Sequence, residues 1–319
     1  MLFTAAAMVT LSLLTASPED SLVGRWGVTE GKKPRVILDL PPNRLAQLVV
    51  SAGIWTATEK EIQLVNPDRP DKPYVMPYSF EGEKLKVILD KSPVTLDRLE
   101  APPEYKAPKA SEPPQLLTHG FVKAGSDVYT LAHHDGGFMA ISANTWAHVP
   151  GASAASFEGL AKGVGKDASA VYCFKDHGGR EQPSRLEAAD PKTFRVLFGT
   201  GRIYFADAQN VFTECSRLVK RERSKGKTRL TSFDTQTFAL GPCALLKDRS
   251  GAYAAVPLSD AFADPSKMKE VLAVQEELTR RQLWVYEKVS GNVDALSEQG
   301  CDKLPTPAPL TLEDLASGR

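Results

Sequence analysis

Gly165-Lys-Asp-Ala-Ser-Ala-Val-Tyr172, followed by Ala189-Asp-Pro-Lys-Thr-Phe194, is the stretch that decides the fold. In the first segment Asp167 opens a turn-like tetrad, because an Asp side chain can bond the backbone two residues on, and Val171-Tyr172 resumes as strand. In the second, Asp190 suits a helix N-cap and Pro191 the first helical position, so one helical turn delivers Phe194 into a core. Both halves recur along the chain. The aromatics Tyr129, Tyr172, Phe212 and Tyr253 follow the tetrads Ala124-Gly-Ser-Asp127, Asp167-Ala-Ser-Ala170, Asp207-Ala-Gln-Asn210 and Asp248-Arg-Ser-Gly251. Their spacing of about 40 residues implies stacked supersecondary units. Phe157, Phe194 and Phe238 close segments opened by Ser153, Asp190 and Asp234, and Asp264-Pro-Ser-Lys-Met268 is a degenerate last copy. Each unit reads as a β-hairpin with an aromatic anchor, and none can bury its apolar face alone.

On these residues the chain resembles the DKNYY family of bacterial exported proteins, which repeats a lysine-aspartate turn, a valine-tyrosine strand and an aspartate-proline-x-threonine-phenylalanine segment. The match covers roughly residues 118 to 260 and departs in the first copy, where Ala124 opens the tetrad and Asp127 ends it. The resemblance implies a structural repeat module with no established molecular activity.

Upstream, residues 21–100 show eight short runs of alternating apolar residues, such as Lys84-Leu-Lys-Val-Ile-Leu89, the mark of half-buried antiparallel strands. Gly53, Gly82 and Asn66-Pro-Asp68 supply turns between them. Leu22-Val-Gly-Arg-Trp26, Gly53-Ile-Trp55 and Leu96-Asp-Arg98 are similar to the small lipocalin-like β-barrels of bacterial exported proteins. That resemblance implies barrel closure by Trp26, packed by Arg98 from the last strand. At about 80 residues the unit is smaller than a full lipocalin, which leaves little interior for a ligand. The expected fold class is therefore mainly β: a small antiparallel lipocalin-like barrel, then a β-hairpin repeat domain with short helical turns and a C-terminal helix.

Residues 1–17 read as a signal peptide, since the apolar run Leu2 to Ala16 is short for a bilayer span and is followed by Ser17-Pro-Glu-Asp20. The expected location is exported: periplasm, cell surface or extracellular, with no membrane span after cleavage. Residues 101–115 contain five prolines and read as a semi-rigid linker. The repeat domain occupies 116–290 and ends in a helix from Asp264 and Pro265 to about Leu283, with Met268, Val271, Leu272 and Leu278 as its capping stripe. Residues 304–319 have the composition of a disordered tail. Cys173, Cys215, Cys243 and Cys301 suit an oxidising compartment and allow up to two disulfides, in any of three pairings.

The 319 residues carry 39 basic and 39 acidic side chains, and so lack the basic field that drives nucleic-acid binding. No Walker loop, Gly-x-Ser-x-Gly elbow, His-Glu-x-x-His helix or Rossmann glycine pattern occurs, and no cofactor is implied. His133-His134-Asp135 offers ligand types for zinc, copper or nickel, but adjacent strand residues point to opposite faces and Asp135-Gly-Gly137 reads as a turn. His119, His148 and His177 stand alone. Asp167, Asp207 and Asp248 serve as turn caps, or as a calcium ladder on one edge of the stack. The run Lys220-Arg-Glu-Arg-Ser-Lys-Gly-Lys227 reads as a solvated hairpin tip, or as an anion-binding surface through Lys220, Arg221, Arg223, Lys225 and Lys227. The expected function is an exported, non-enzymatic binding or protein-interaction module of the cell envelope. The alternative is a metal-binding or hydrolytic envelope enzyme using His133, His134 and Asp135.

Overall fold

A computed structural model describes residues 17–30, 33–49, 51–102, 113–134, 143–174, 183–200, 202–224, 227–259, 265–290, 301 and 304–317. Residues 1–16 of the signal segment, 103–112 of the linker, Asp135, His177, Lys225 and Asp264 lie outside the described residues. The protein is mainly β and divides into two compact units, Met1–Gln115 with Leu131–Trp146, and Leu116–Thr130 with Ala147–Arg319.

In the first unit, β1 (Gly24–Glu30), β2 (Lys33–Leu40), β3 (Leu45–Leu48), β4 (Ser51–Ala57), β5 (Glu61–Val65), β6 (Tyr74–Glu81), β7 (Lys84–Leu89) and β8 (Ser92–Leu99) close into a barrel in sequence order. Closure pairs β1 with β8 antiparallel, through Arg25 with Leu99, Trp26 with Arg98 and Gly27 with Asp97. Alternation does the sorting: in β7, Leu85 and Val87 point inward while Lys84 faces solvent. Gly27 sits at a bulge in β1, where a Cβ would come within 2.1 Å of the Arg35 carbonyl oxygen, so only glycine fits. Trp26, Leu38, Leu40, Trp55, Ile62, Met76, Leu85, Val87 and Leu96 fill the interior, none more than 1 % exposed. At the base, a short helix, α1 (Pro18–Leu22), is pinned by the Trp26 indole, which donates to the Leu22 carbonyl at 2.8 Å. The Arg98 guanidinium lies 4.4 Å from the Trp26 ring centroid and donates to the carbonyls of Val23 and Ser21. The Leu131–Trp146 segment joins this unit through the Trp146 indole, which donates to the Ala46 carbonyl at 3.0 Å, and through the Gln47 amide, which donates to the Asn144 carbonyl at 3.0 Å.

The hairpins of the second half build two four-stranded sheets and one nine-stranded sheet. The tetrads of the middle copies are four-residue loops: Lys166 pairs with Val171 across Asp167–Ala170, and Ala206 with Val211 across Asp207–Asn210. The outer copies close more tightly, with Ala124 paired to Asp127 and Asp248 to Gly251. Successive aromatic clusters bind each copy to the next. Phe121, Phe157 and Tyr172 share one core; Phe194, Phe205 and Phe212 the next; Phe233, Phe238, Tyr204 and Tyr253 a third. Gly165 makes room for the Phe157 ring, since a Cβ there would lie 2.4 Å from it. Tyr129 departs from the expected anchor role: the shorter loop of its copy buries Val128 instead, and the half-buried Tyr129 ring packs 5.3 Å from His148.

Two expectations are corrected at the C-terminus. Helix α2 (Met268–Arg280) buries Val274, with Val271 and Leu278 half-buried, whereas Met268 and Leu272 are 39 % and 55 % exposed. The buried stripe therefore runs through i, i+3 and i+7 from Val271. Residues 304–317 are not a disordered tail: helix α3 (Leu312–Ser317) buries Leu315, and Leu310 is buried ahead of it. Those leucines complete a core with Val219, Val274, Leu283 and Val285 that composition alone could not reveal. Among the described residues, no helix is long and apolar enough to cross a membrane.

Candidate functional site

The end of the barrel opposite α1 carries the β3–β4 turn, the β5–β6 loop and the β7–β8 turn, and residues from these line a half-open cavity of about 570 Å³. Its apolar wall is Leu48, Ala52, Leu64 and Leu89, the upper edge of the packed interior. Arg69 and Lys72 from the β5–β6 loop complete the lining, exposed and in no ion pair among the described residues. Asp90 is already engaged: its carboxylate accepts the Tyr74 hydroxyl at 3.2 Å, and its own N–H donates back to that hydroxyl at 3.1 Å. Asp90 and Lys91 both take positive φ, 47° and 69°, the two-residue turn that holds this corner of the mouth. Sequence reading missed Arg69, Lys72 and Asp90, whose only signal was a turn-forming Asn66-Pro-Asp68 with two cations just after it.

The basic run is not a solvated tip at its start. Ser216–Ser224 is a central strand, and it buries both Lys220 and Arg221. The Lys220 ammonium donates to Asp248 at 2.9 Å and to the Ser250 hydroxyl at 3.2 Å, between the rings of Phe233 and Tyr253. Arg221 donates to Asp314 at 2.9 Å, to Glu287 and to the Ala308 carbonyl. Neither cation is free to serve an anionic surface, because a buried charge holds its place only while paired. Arg223 also reaches Asp314, at 3.3 Å, and Lys227 is exposed.

The turn aspartates act as clasps. One oxygen of Asp167, Asp207 and Asp248 accepts an N–H of its own turn, from Ser169, Gln209 and Ser250. The other accepts the backbone N–H of Ser153, Asp190 or Asp234, the residue opening the preceding phenylalanine segment. A return bond completes each loop: Ala168 N–H donates to Ser156, Ala208 N–H to Thr193 and Arg249 N–H to Thr237. Burial pushes the Asp167 carboxyl up, but the N–H groups of Ser153, Ser169 and Ala170 outweigh it and hold it down at about 2. With their oxygens already accepting hydrogen bonds, these aspartates are occupied as caps, and among the described residues no three His, Cys, Asp or Glu side chains are grouped to hold a metal.

His133 and His134 end the strand Asp127–His134, while Asp135 lies outside the described residues. His119 takes a left-handed φ of 58°, and His148 pairs with Asp127 at 3.4 Å. The four cysteines form two disulfides, Cys173–Cys215 and Cys243–Cys301, which fit an oxidising location. The first joins adjacent repeats across their shared aromatic core, and the second fastens the start of the C-terminal segment to the last repeat. No family model, curated protein or solved structure matches this chain.

Proposed function

We propose that the chain is an exported, non-enzymatic binding module of the bacterial cell envelope, in which a small lipocalin-like barrel carries the ligand site and a DKNYY-like repeat stack presents an interaction surface. The observation that carries this reading is the barrel itself: one end is sealed by α1, Trp26 and Arg98, the interior is filled, and the other end holds an apolar-walled cavity of about 570 Å³. That volume lies within the range of small-molecule sites. The two disulfides support the exported location, and the repeat aspartates serve as structural clasps, which leaves the repeats to work through surface.

Native mass spectrometry of the mature protein, purified from the envelope of its own host, tests the reading. A mass above that of the oxidised chain, removed by denaturation, is expected. A bare chain from the envelope, together with no shift on adding candidate small molecules, would count against a ligand site in the barrel.

A further inference from the structure

We infer that the barrel mouth recognises a single-chain amphiphile with an anionic head, a carboxylate or a phosphate, its alkyl chain against Leu48, Leu64 and Leu89 and its head held by Arg69 and Lys72. The inference rests on the reading of the mouth as a binding site and names the class of ligand. Three observations carry it. The cavity joins an apolar wall to two cations in one continuous lining, which is the chemistry of an amphiphile rather than of a sugar or a bare ion. The one carboxylate in that lining, Asp90, accepts the Tyr74 hydroxyl at 3.2 Å and pairs with neither cation, and Arg69 and Lys72 outnumber it. The protein as a whole is neutral, so attraction of an anion here is a local property of Arg69 and Lys72 and not of a general basic field.

The chain does not enter a deep calyx. Trp55, Ile62 and Met76 lie fully buried in the barrel below, so the ligand seats at the rim with its head toward solvent. A guanidinium and an ammonium at the edge of a partly dry site each add a charge-assisted hydrogen bond to a head group.

The test is isothermal titration of the mature chain at low ionic strength with decanoate, decyl phosphate and 1-decanol, which share a tail and differ in head. Either anion is expected to bind at least tenfold more tightly than decanol, and the tighter of the two assigns the head group. Arg69→Gln with Lys72→Gln should weaken the anion about tenfold and leave decanol unchanged; both side chains are exposed, so the fold is retained. Ser51→Trp, at an exposed position of the lining, should close the mouth to all three. Equal binding of decanol and the anions, or an anion affinity indifferent to the double substitution, overturns the head-group inference while keeping the site. Absence of binding by all three ligands, or binding that survives Ser51→Trp, overturns the mouth site itself.

Discussion

The carboxylate of Asp207 accepts the backbone N–H of Asp190 at 3.0 Å, joining a hairpin turn to a helical turn that starts 17 residues earlier. The Asp190 side chain in turn accepts the Thr193 hydroxyl at 2.8 Å, and Thr193 accepts the Ala208 N–H at 3.0 Å, so the circuit closes on the turn where it began. The same circuit recurs at Asp234, Thr237 and Asp248, whereas at Ser153, Ser156 and Asp167 the two outer bonds recur and the backbone Ser156 N–H to Ser153 carbonyl bond joins them. It sets the position of the phenylalanine that each segment inserts into the core.

Asp167→Ala strips acceptors from the N–H groups of Ser153, Ser169 and Ala170 and from the Tyr172 hydroxyl. A loss of about 2–4 kcal/mol is expected, since the buried donors among them, the Ala170 N–H and the Tyr172 hydroxyl, forfeit their desolvation cost when left unpaired and the exposed two lose a bond to a charged acceptor. Urea unfolding measures it. A loss no larger than that of a surface substitution would mean that the clasp is dispensable.

Acid should weaken the fold through these same groups. The Asp167 carboxyl is held down at about 2, and those of Asp248 and Asp314 are also held below their usual range by their hydrogen-bond donors and paired cations despite burial. A group whose folded pKa is depressed binds fewer protons folded than unfolded, so its contribution is complete above the unfolded value near 4 and is lost as pH falls toward 2. Urea midpoints at pH 6, 4, 3 and 2 should be level at first and then decline. Asp167→Asn should flatten the part of that decline below pH 4.

The Cys173–Cys215 disulfide closes a loop of 42 residues, for which chain-entropy reasoning gives about 4 kcal/mol. Replacing both cysteines with alanine should lower stability by about that amount while the far-ultraviolet spectrum stays that of a β protein. The Cys243–Cys301 bond spans 58 residues, and its removal should also loosen the segment that follows Cys301.

Arg221→Ala leaves Glu287 without its buried cation and Asp314 with Arg223 alone, at an expected cost of about 3 kcal/mol, the low end for breaking a buried pair. The C-terminal segment should then detach, because Arg221 also holds the Ala308 carbonyl. Limited digestion with a glutamate-specific protease reads this directly: cleavage at Glu313 should accelerate ahead of any cleavage in the barrel. Unchanged protection would show that Leu310 and Leu315 hold the segment alone.

Much of the architecture was legible because its signals are local. Lys84-Leu-Lys-Val alternates as a half-buried strand must, and the Asp-turn and Asp-Pro-Lys-Thr-Phe segments state their backbone conformations in their own residues. Trp26 and Arg98, read from a resemblance, do meet at the barrel base. The misreadings of the basic run and of the C-terminal segment share one cause. Lys220 and Arg221 look like solvent-facing residues in any local window, and they are buried only because Asp248 stands 28 residues away and Asp314 stands 93 away to neutralise them. Leu310 and Leu315 have too few apolar neighbours in sequence to suggest a core, and they find one on strands and a helix far upstream.

The sequence by itself determined the strand and turn content, the repeat spacing, the identity of most core aromatics and the presence of an even set of cysteines, because each follows from side-chain periodicity or from turn chemistry within a few residues. Only the tertiary structure decided which cysteines pair, which cations are buried, that the C-terminal segment docks, and that Arg69 and Lys72 share a cavity with Leu48, Leu64 and Leu89. Those outcomes depend on contacts between residues far apart in the chain, whose partners are fixed by sheet register and by the competition for buried space rather than by local preference.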